Sequence, residues 1–93
     1  MRIDGNFVIQ RVSDEYIVVP IGEKTKDLNG VIKLNETGAF IWNMLSESEM
    51  EIHEVVEKLM STYSVKLADA EHDVETFIAT LRGFGCIIGK RKY

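Results

Sequence analysis

Scarcity sets the first limits on this chain of 93 residues. Cysteine occurs once, at Cys86, so no internal disulfide can form, and the reading is of a reducing, cytoplasmic setting. Histidine occurs twice, at His53 and His72. A zinc site takes three or four Cys, His or carboxylate ligands, and a catalytic base comes with an oriented partner. No apolar run approaches the ~20 residues needed to cross a bilayer. The opening Met1-Arg2-Ile3-Asp4-Gly5 lacks the basic stretch and long apolar segment of a signal peptide, so no membrane partner is expected. Positive charge is also short. Eleven Lys and Arg face fifteen Asp and Glu, a formal net charge of −4, which repels the phosphate backbones on which non-specific nucleic-acid affinity depends. The single basic cluster, Lys90-Arg91-Lys92, reads as a solvated end.

The 45% hydrophobic content suits one globular domain spanning residues 1–93, too short to bury a second core. Its first third reads as strands. Phe7 to Val12 and Tyr16 to Ile21 are β-branched and aromatic, with Ser13-Asp14-Glu15 as the turn between them. Pro20 belongs at a strand end, an edge or a bulge, because it cannot donate to a ladder. Gly22 to Leu28 reads as a polar surface loop, Asn29-Gly30 as a turn or bulge, and Val31 to Leu34 as a third short strand. Short connections predict an antiparallel meander with the first and third strands at its edges.

At residue 35 the apolar period changes from two to 3.6. Asn35 is a good N-cap for a helix through about Leu45, with Gly38, Ile41, Trp42 and Leu45 on one face. Gly38 disfavours a helix interior by roughly 1 kcal/mol against alanine, so a close approach by another element is expected there. A second helix is predicted to open on a Ser48/Glu51 capping box and to carry the stripe Ile52, Val55, Val56, Leu59, Met60, Tyr63. A third shows Val74, Phe77, Ile78 and Leu81 and ends near Gly83 and Gly85. Cys86-Ile87-Ile88 is either one more strand or a segment packed on the core. The whole is an α+β order, a three-stranded antiparallel sheet followed by three helices, and winged-helix-like if the last two helices sit beside the sheet.

Few residues here read as chemistry. His53-Glu54-x-x-Glu57 has glutamate where a zinc-protease helix needs its second histidine. Cys86, among Gly85, Ile87 and Ile88, has neither a base nor an electropositive setting and reads as an inert thiol. Gly83-Phe84-Gly85 follows a helix instead of opening one, so it reads as a helix stop and not a phosphate cradle. No catalytic residue, metal or cofactor is expected, and the protein reads as a binding module and not an enzyme. The helix-turn-helix topology raises DNA binding as an alternative. Between Glu49 and Arg82, however, eight acidic side chains face three basic ones, and the start of the third helix reads Ala68-Asp69-Ala70-Glu71-His72-Asp73. A recognition helix needs Arg, Lys, Asn or Gln there. What remains is the third strand, whose unpaired edge can be extended by another peptide, with Lys33 as either a gatekeeper against aggregation or part of a docking edge.

Leu34-Asn35-Glu36-Thr37-Gly38-Ala39-Phe40-Ile41-Trp42 resembles the signature that joins the third strand to the first helix in the PqqD-like family. Tyr16 to Gly22, including Pro20, is similar to that family's second strand. Tyr63-Ser64-Val65, then Ala70 to Val74, Phe77 and Leu81, is similar to its entry into the third helix, so the resemblance covers about residues 5 to 89. Lys66-Leu67 departs from it, standing where an acidic residue would start that helix. The resemblance implies a winged-helix-like recognition element for ribosomally made peptides that are later modified. It implies a cleft between the third strand and third helix, to which the leader segment of a precursor peptide adds as an antiparallel strand. A separate modifying enzyme is the implied second partner, either a radical S-adenosylmethionine enzyme or a leader peptidase. Carried over by position, the peptide-binding strand is Gly30, Val31, Ile32, Lys33 and Leu34, and the helix face is Asp73, Thr76, Phe77, Thr80, Leu81 and Phe84. Phe77, Leu81 and Phe84 read alternatively as core, the favoured reading for Phe77, and Val31 and Lys33, alternating with the core-facing Ile32 and Leu34, are better candidates for contact. Two other readings stand beside this one: a structural partner subunit of a larger enzyme, and self-pairing of unoccupied third strands into a homodimer.

Overall fold

A computed structural model describes residues 1–22 and 32–89. The Glu23–Leu28 part of the expected loop, the Asn29-Gly30 turn, Val31 and the Lys90-Arg91-Lys92 cluster lie outside the described residues. Eight elements follow in order: β1 (Arg2–Ile3), β2 (Phe7–Val12), β3 (Glu15–Pro20), β4 (Ile32–Leu34), α1 (Glu36–Glu47), α2 (Ile52–Thr62), α3 (Leu67–Gly83) and β5 (Ile87–Ile88). The architecture is the expected α+β one, a three-stranded antiparallel sheet in the order β2-β3-β4 followed by three helices.

Alternation decides which face of the sheet is buried. Phe7 and Val18 are buried, and Ile9 and Tyr16 pack against the same core, while Gln10, on the opposite face, is exposed. The β3–β4 register sets Tyr16 opposite Leu34 and Val18 opposite Ile32, so Ile32 and Leu34 join the core and Lys33 between them faces out. Pro20 is the last residue of β3, opposite Phe7, a strand end where its missing N–H is tolerated. A two-residue turn closes the β2–β3 hairpin, with Ser13 at a φ of 57°. That conformation suits the right-handed twist of a hairpin and normally calls for glycine.

Helices supply the other half of the core. Ile41, Trp42 and Leu45 of α1, Val55, Val56 and Leu59 of α2, and Ala70, Val74, Ile78 and Leu81 of α3 are all buried. They meet Val18 and the β4 side chains in one continuous cluster. Fully burying one such side chain stabilises by roughly 1.5–3 kcal/mol, so this cluster dominates the stability of the molecule.

Two local features differ from the sequence reading. Ser48 does not open α2; it caps the end of α1, its N–H donating to the Met44 carbonyl at 3.2 Å. The Met50 N–H then donates to the Met1 carbonyl at 2.8 Å, which holds the connection extended and delays the helix to Ile52. The reciprocal cap therefore moves three residues on, where the Glu54 carboxylate accepts from the Glu51 N–H at 2.9 Å. Second, Arg2–Ile3 forms a strand that two residues were too few to announce, paired antiparallel with Ile87–Ile88. This settles the alternatives at the C-terminal apolar run in favour of a strand, with Cys86 fully buried beside it. The end of α3 is as expected: the helix runs to Gly83, and Gly85, with a φ of 77°, stops it. Cys86 N–H donates to the Leu81 carbonyl at 2.9 Å and Gly85 N–H to Arg82 at 3.0 Å, a Schellman motif that turns the chain back toward β1.

The two left-handed positions predict substitutions of opposite sign. Ser13→Gly removes a steric penalty of about 1–2 kcal/mol, less the extra entropy glycine loses on folding, and is expected to raise the melting temperature. Gly85→Ala is expected to lower stability by about 1–2 kcal/mol in denaturant unfolding.

Candidate functional site: a cleft between α1 and α3 at the end of the last sheet strand

The site begins at the junction of β4 and α1. Asn35 leaves the strand in an extended conformation, and its side-chain oxygen accepts from the Gly38 N–H at 2.7 Å. That cap fixes where α1 starts relative to β4. One turn in, Gly38 is buried, and a Cβ built on it would lie 3.2 Å from Phe77 Cε1, 3.2 Å from Asn35 Oδ1 and 3.5 Å from Leu34 Cβ. The close approach expected at this glycine is real, and α3, through Phe77, is the element that makes it.

Where the two helices diverge from this contact, an open cleft of about 380 Å³ lies between them. Asn35, Thr37, Gly38 and Ile41 line one side. His72, Asp73, Thr76, Phe77 and Thr80, successive turns of one α3 face, line the other. Phe77 is half-buried and packs against the core, so Phe77, Ile41 and Gly38 make an apolar floor under a polar rim. Thr80 spends its hydroxyl on the Thr76 carbonyl at 3.0 Å, leaving its methyl group to the cleft. Among the described residues, β4 has a strand on one side only.

The predicted site residues separate accordingly. Asp73, Thr76, Phe77 and Thr80 are brought together on the cleft wall. Ile32 and Leu34 turn into the core, and Lys33 turns outward to an ion pair with Glu15 at 3.5 Å, so β4 offers backbone rather than inward side chains. Leu81 is fully buried and Phe84 is 44% exposed just past the helix; neither lines the cleft. Gly30 and Val31 lie outside the described residues. Sequence reasoning did not assign Thr37, Ile41 or His72 to a site, and took Asn35 and Gly38 only as cap and contact. The signal was present in Asn35-Glu36-Thr37-Gly38, where a cap and a helix-interior glycine together mark a crossing. Of the reactive residue types, His53 and His72 are exposed and Cys86 is buried. Among the described residues no group of three His, Cys, Asp or Glu side chains is placed to hold a metal ion, and no helix is long and apolar enough to cross a membrane.

A three-stranded sheet followed by three helices, with a cleft between α1 and α3, is a fold that comparison with known proteins identifies. The family model described as Coenzyme PQQ synthesis protein D (PqqD) matches residues 8–87, and the chain belongs to this family. Among solved structures, TbiB1 in complex with the TbiA(beta) leader peptide shares the fold at a TM-score of 0.76 and 23% identity, over 99% of this chain and 100% of its own. Lasso peptide synthetase B1 complexed with the leader peptide does so at a TM-score of 0.73 and 20% identity, over 95% of this chain and 96% of its own. No curated protein sequence matches the chain.

Two substitutions test how the junction is held. Asn35→Ala is expected to lose about 1 kcal/mol of stability in denaturant unfolding, the usual worth of an N-cap. Gly38→Ala gains roughly 1 kcal/mol of helix propensity but crowds Phe77. Its expected signature is a displaced Phe77 ring, read from ring proton shifts, with stability changed by less than about 1 kcal/mol.

Proposed function

We propose that this chain is a non-catalytic recognition domain that captures the leader segment of a ribosomally made precursor peptide. The leader adds as an antiparallel strand along β4 and lies in the cleft against α3. The observation that carries the proposal is the cleft between α1 and α3, which starts at Asn35 just past β4, a strand that among the described residues has a neighbour on one side only, in a chain of this family. Support comes also from the two structures of like fold, both complexes with leader peptides.

The physics of strand addition fits these residues. Backbone N–H and C=O groups along an edge give affinity with little demand on sequence, and side-chain pockets give selectivity. Ile32 and Leu34 are committed to the core, so β4 would contribute its backbone, and Gly30 and Val31 are proposed as further contacts. Inward-facing leader side chains would then meet Phe77, Ile41 and the methyl of Thr80. Leu81 would act from behind, holding α3 in place, and Phe84 would mark the far end of the helix face. Chemistry on the precursor would belong to a separate enzyme, a radical S-adenosylmethionine enzyme or a leader peptidase, to which this domain presents its cargo.

Titration of isotope-labelled protein with a candidate leader peptide checks this reading. Amide shifts are expected to concentrate at residues 32 to 34 and along 73 to 80 of α3. Saturable binding that leaves the amides of 32 to 34 unmoved would rule out strand addition. N-methylation of alternate leader amides is expected to weaken binding at one set of positions and spare the other, because only every second backbone unit faces the partner strand.

A further inference from the structure

We infer that the cleft selects an extended peptide carrying a lysine or arginine about two residues from an apolar side chain, the cation being held by the acidic wall of α3. The inference rests on the peptide-binding role proposed above and specifies the substrate class of that same site.

The wall is wider than the cleft. His72 and Thr76 belong both to the cleft and to a shallower depression on the outer side of α3, which adds Glu71 and Glu75 over the small side chains of Ala68 and Ala79. Asp73 lies in the cleft itself. Glu71, Asp73 and Glu75 are exposed, and among the described residues none of them has an ion-pair or hydrogen-bond partner. Glu71 and Glu75 stand four residues apart on the helix, a spacing at which like charges repel and disfavour the helix. The fold gains nothing from this arrangement by itself.

Among the described residues no lysine or arginine lines either concavity. Lys33, the cation on β4, is turned to the outer face of the sheet and paired with Glu15 at 3.5 Å. Arg82, near the end of α3, directs its guanidinium to the Met1 sulfur at 3.9 Å. Among the described residues the charge on the cleft wall is therefore negative, and a peptide with a basic side chain complements it while an acidic one is repelled.

Spacing follows from the two periodicities. Asp73 and Phe77 are four residues apart on α3, a rise of about 6 Å. Two residues of an extended strand span about 6.6–6.8 Å and return to the same face. For a strand lying along α3, a side chain seated on the Phe77 and Ile41 floor places its second neighbour over Asp73, and a long basic side chain there also reaches toward the depression shared by Glu71 and Glu75.

An unbiased display library of short linear peptides, panned on the full chain and on an Asp73→Asn/Glu75→Gln variant, tests this. Both positions are exposed, so the variant is expected to fold, with an unchanged circular dichroism spectrum checking it. Wild-type protein is expected to enrich an apolar residue with Lys or Arg two positions away. The variant is expected to keep the apolar preference, lose the basic one, and bind the selected peptides about tenfold more weakly with a flatter salt dependence. Selected peptides that shift the amides of 32 to 34 but show no basic preference, or bind the variant equally well, would overturn this inference and leave the edge-binding role standing. Selected peptides that leave those amides unmoved would overturn the edge-binding role and the inference with it.

Discussion

Space for a missing Cβ at one position governs how the helical half of this molecule meets its sheet. Gly38 lets the Phe77 ring come within contact of the α1 backbone, directly beside the Leu34 side chain that ends β4. The same residue donates its N–H to the Asn35 cap, so strand end, helix start and helix crossing are fixed within four residues. Interiors are packed tightly enough that a contact of this kind is transmitted and not absorbed. The cleft exists because α1 and α3 touch at Gly38 and then part, and its floor is the ring that the glycine admits.

Much of this was legible from sequence because it depends on local signals. Alternating β-branched residues announced β2 and β3, and the shift to a 3.6 period after Asn35 announced α1. Gly38 could be read as a contact, since an interior helix glycine is unfavourable unless something needs the room. Its partner could not be named, because Phe77 lies on another helix and no local pattern couples the two. The Ser48 signal failed for a related reason. Serine three residues before glutamate is a valid helix opening, but the backbone bond from Met50 to Met1 keeps that stretch extended, and such a bond has no trace in nearby residues. Of the candidate site, the α3 wall came from the family resemblance alone, whereas Thr37, Ile41 and His72 became cleft residues only through the packing of separate elements.

Charge and apolar surface divide the labour of the site. Ile32, Leu34 and Leu81 are buried and hold the frame, while the exposed groups at the cleft are small, polar or acidic. A binding surface made from strand backbone and a shallow apolar floor discriminates weakly by itself, because every peptide has a backbone. Selectivity in such a design has to come from whatever lines the opposite wall, and here that wall is α3.

The pairing of β1 with β5 has a bearing on how the structure forms. Ile3 and Ile87 are neighbours in space but are separated by nearly the whole described chain. Closing so long a loop early is entropically unfavourable, whereas after the sheet and helices have packed the Schellman turn at Gly85 delivers β5 to its partner at little further loss. This small sheet is therefore best regarded as a latch that closes late. It joins the two ends of the folding sequence into one cooperative unit, so that fraying at Arg2–Ile3 and at Ile87–Ile88 is a single event.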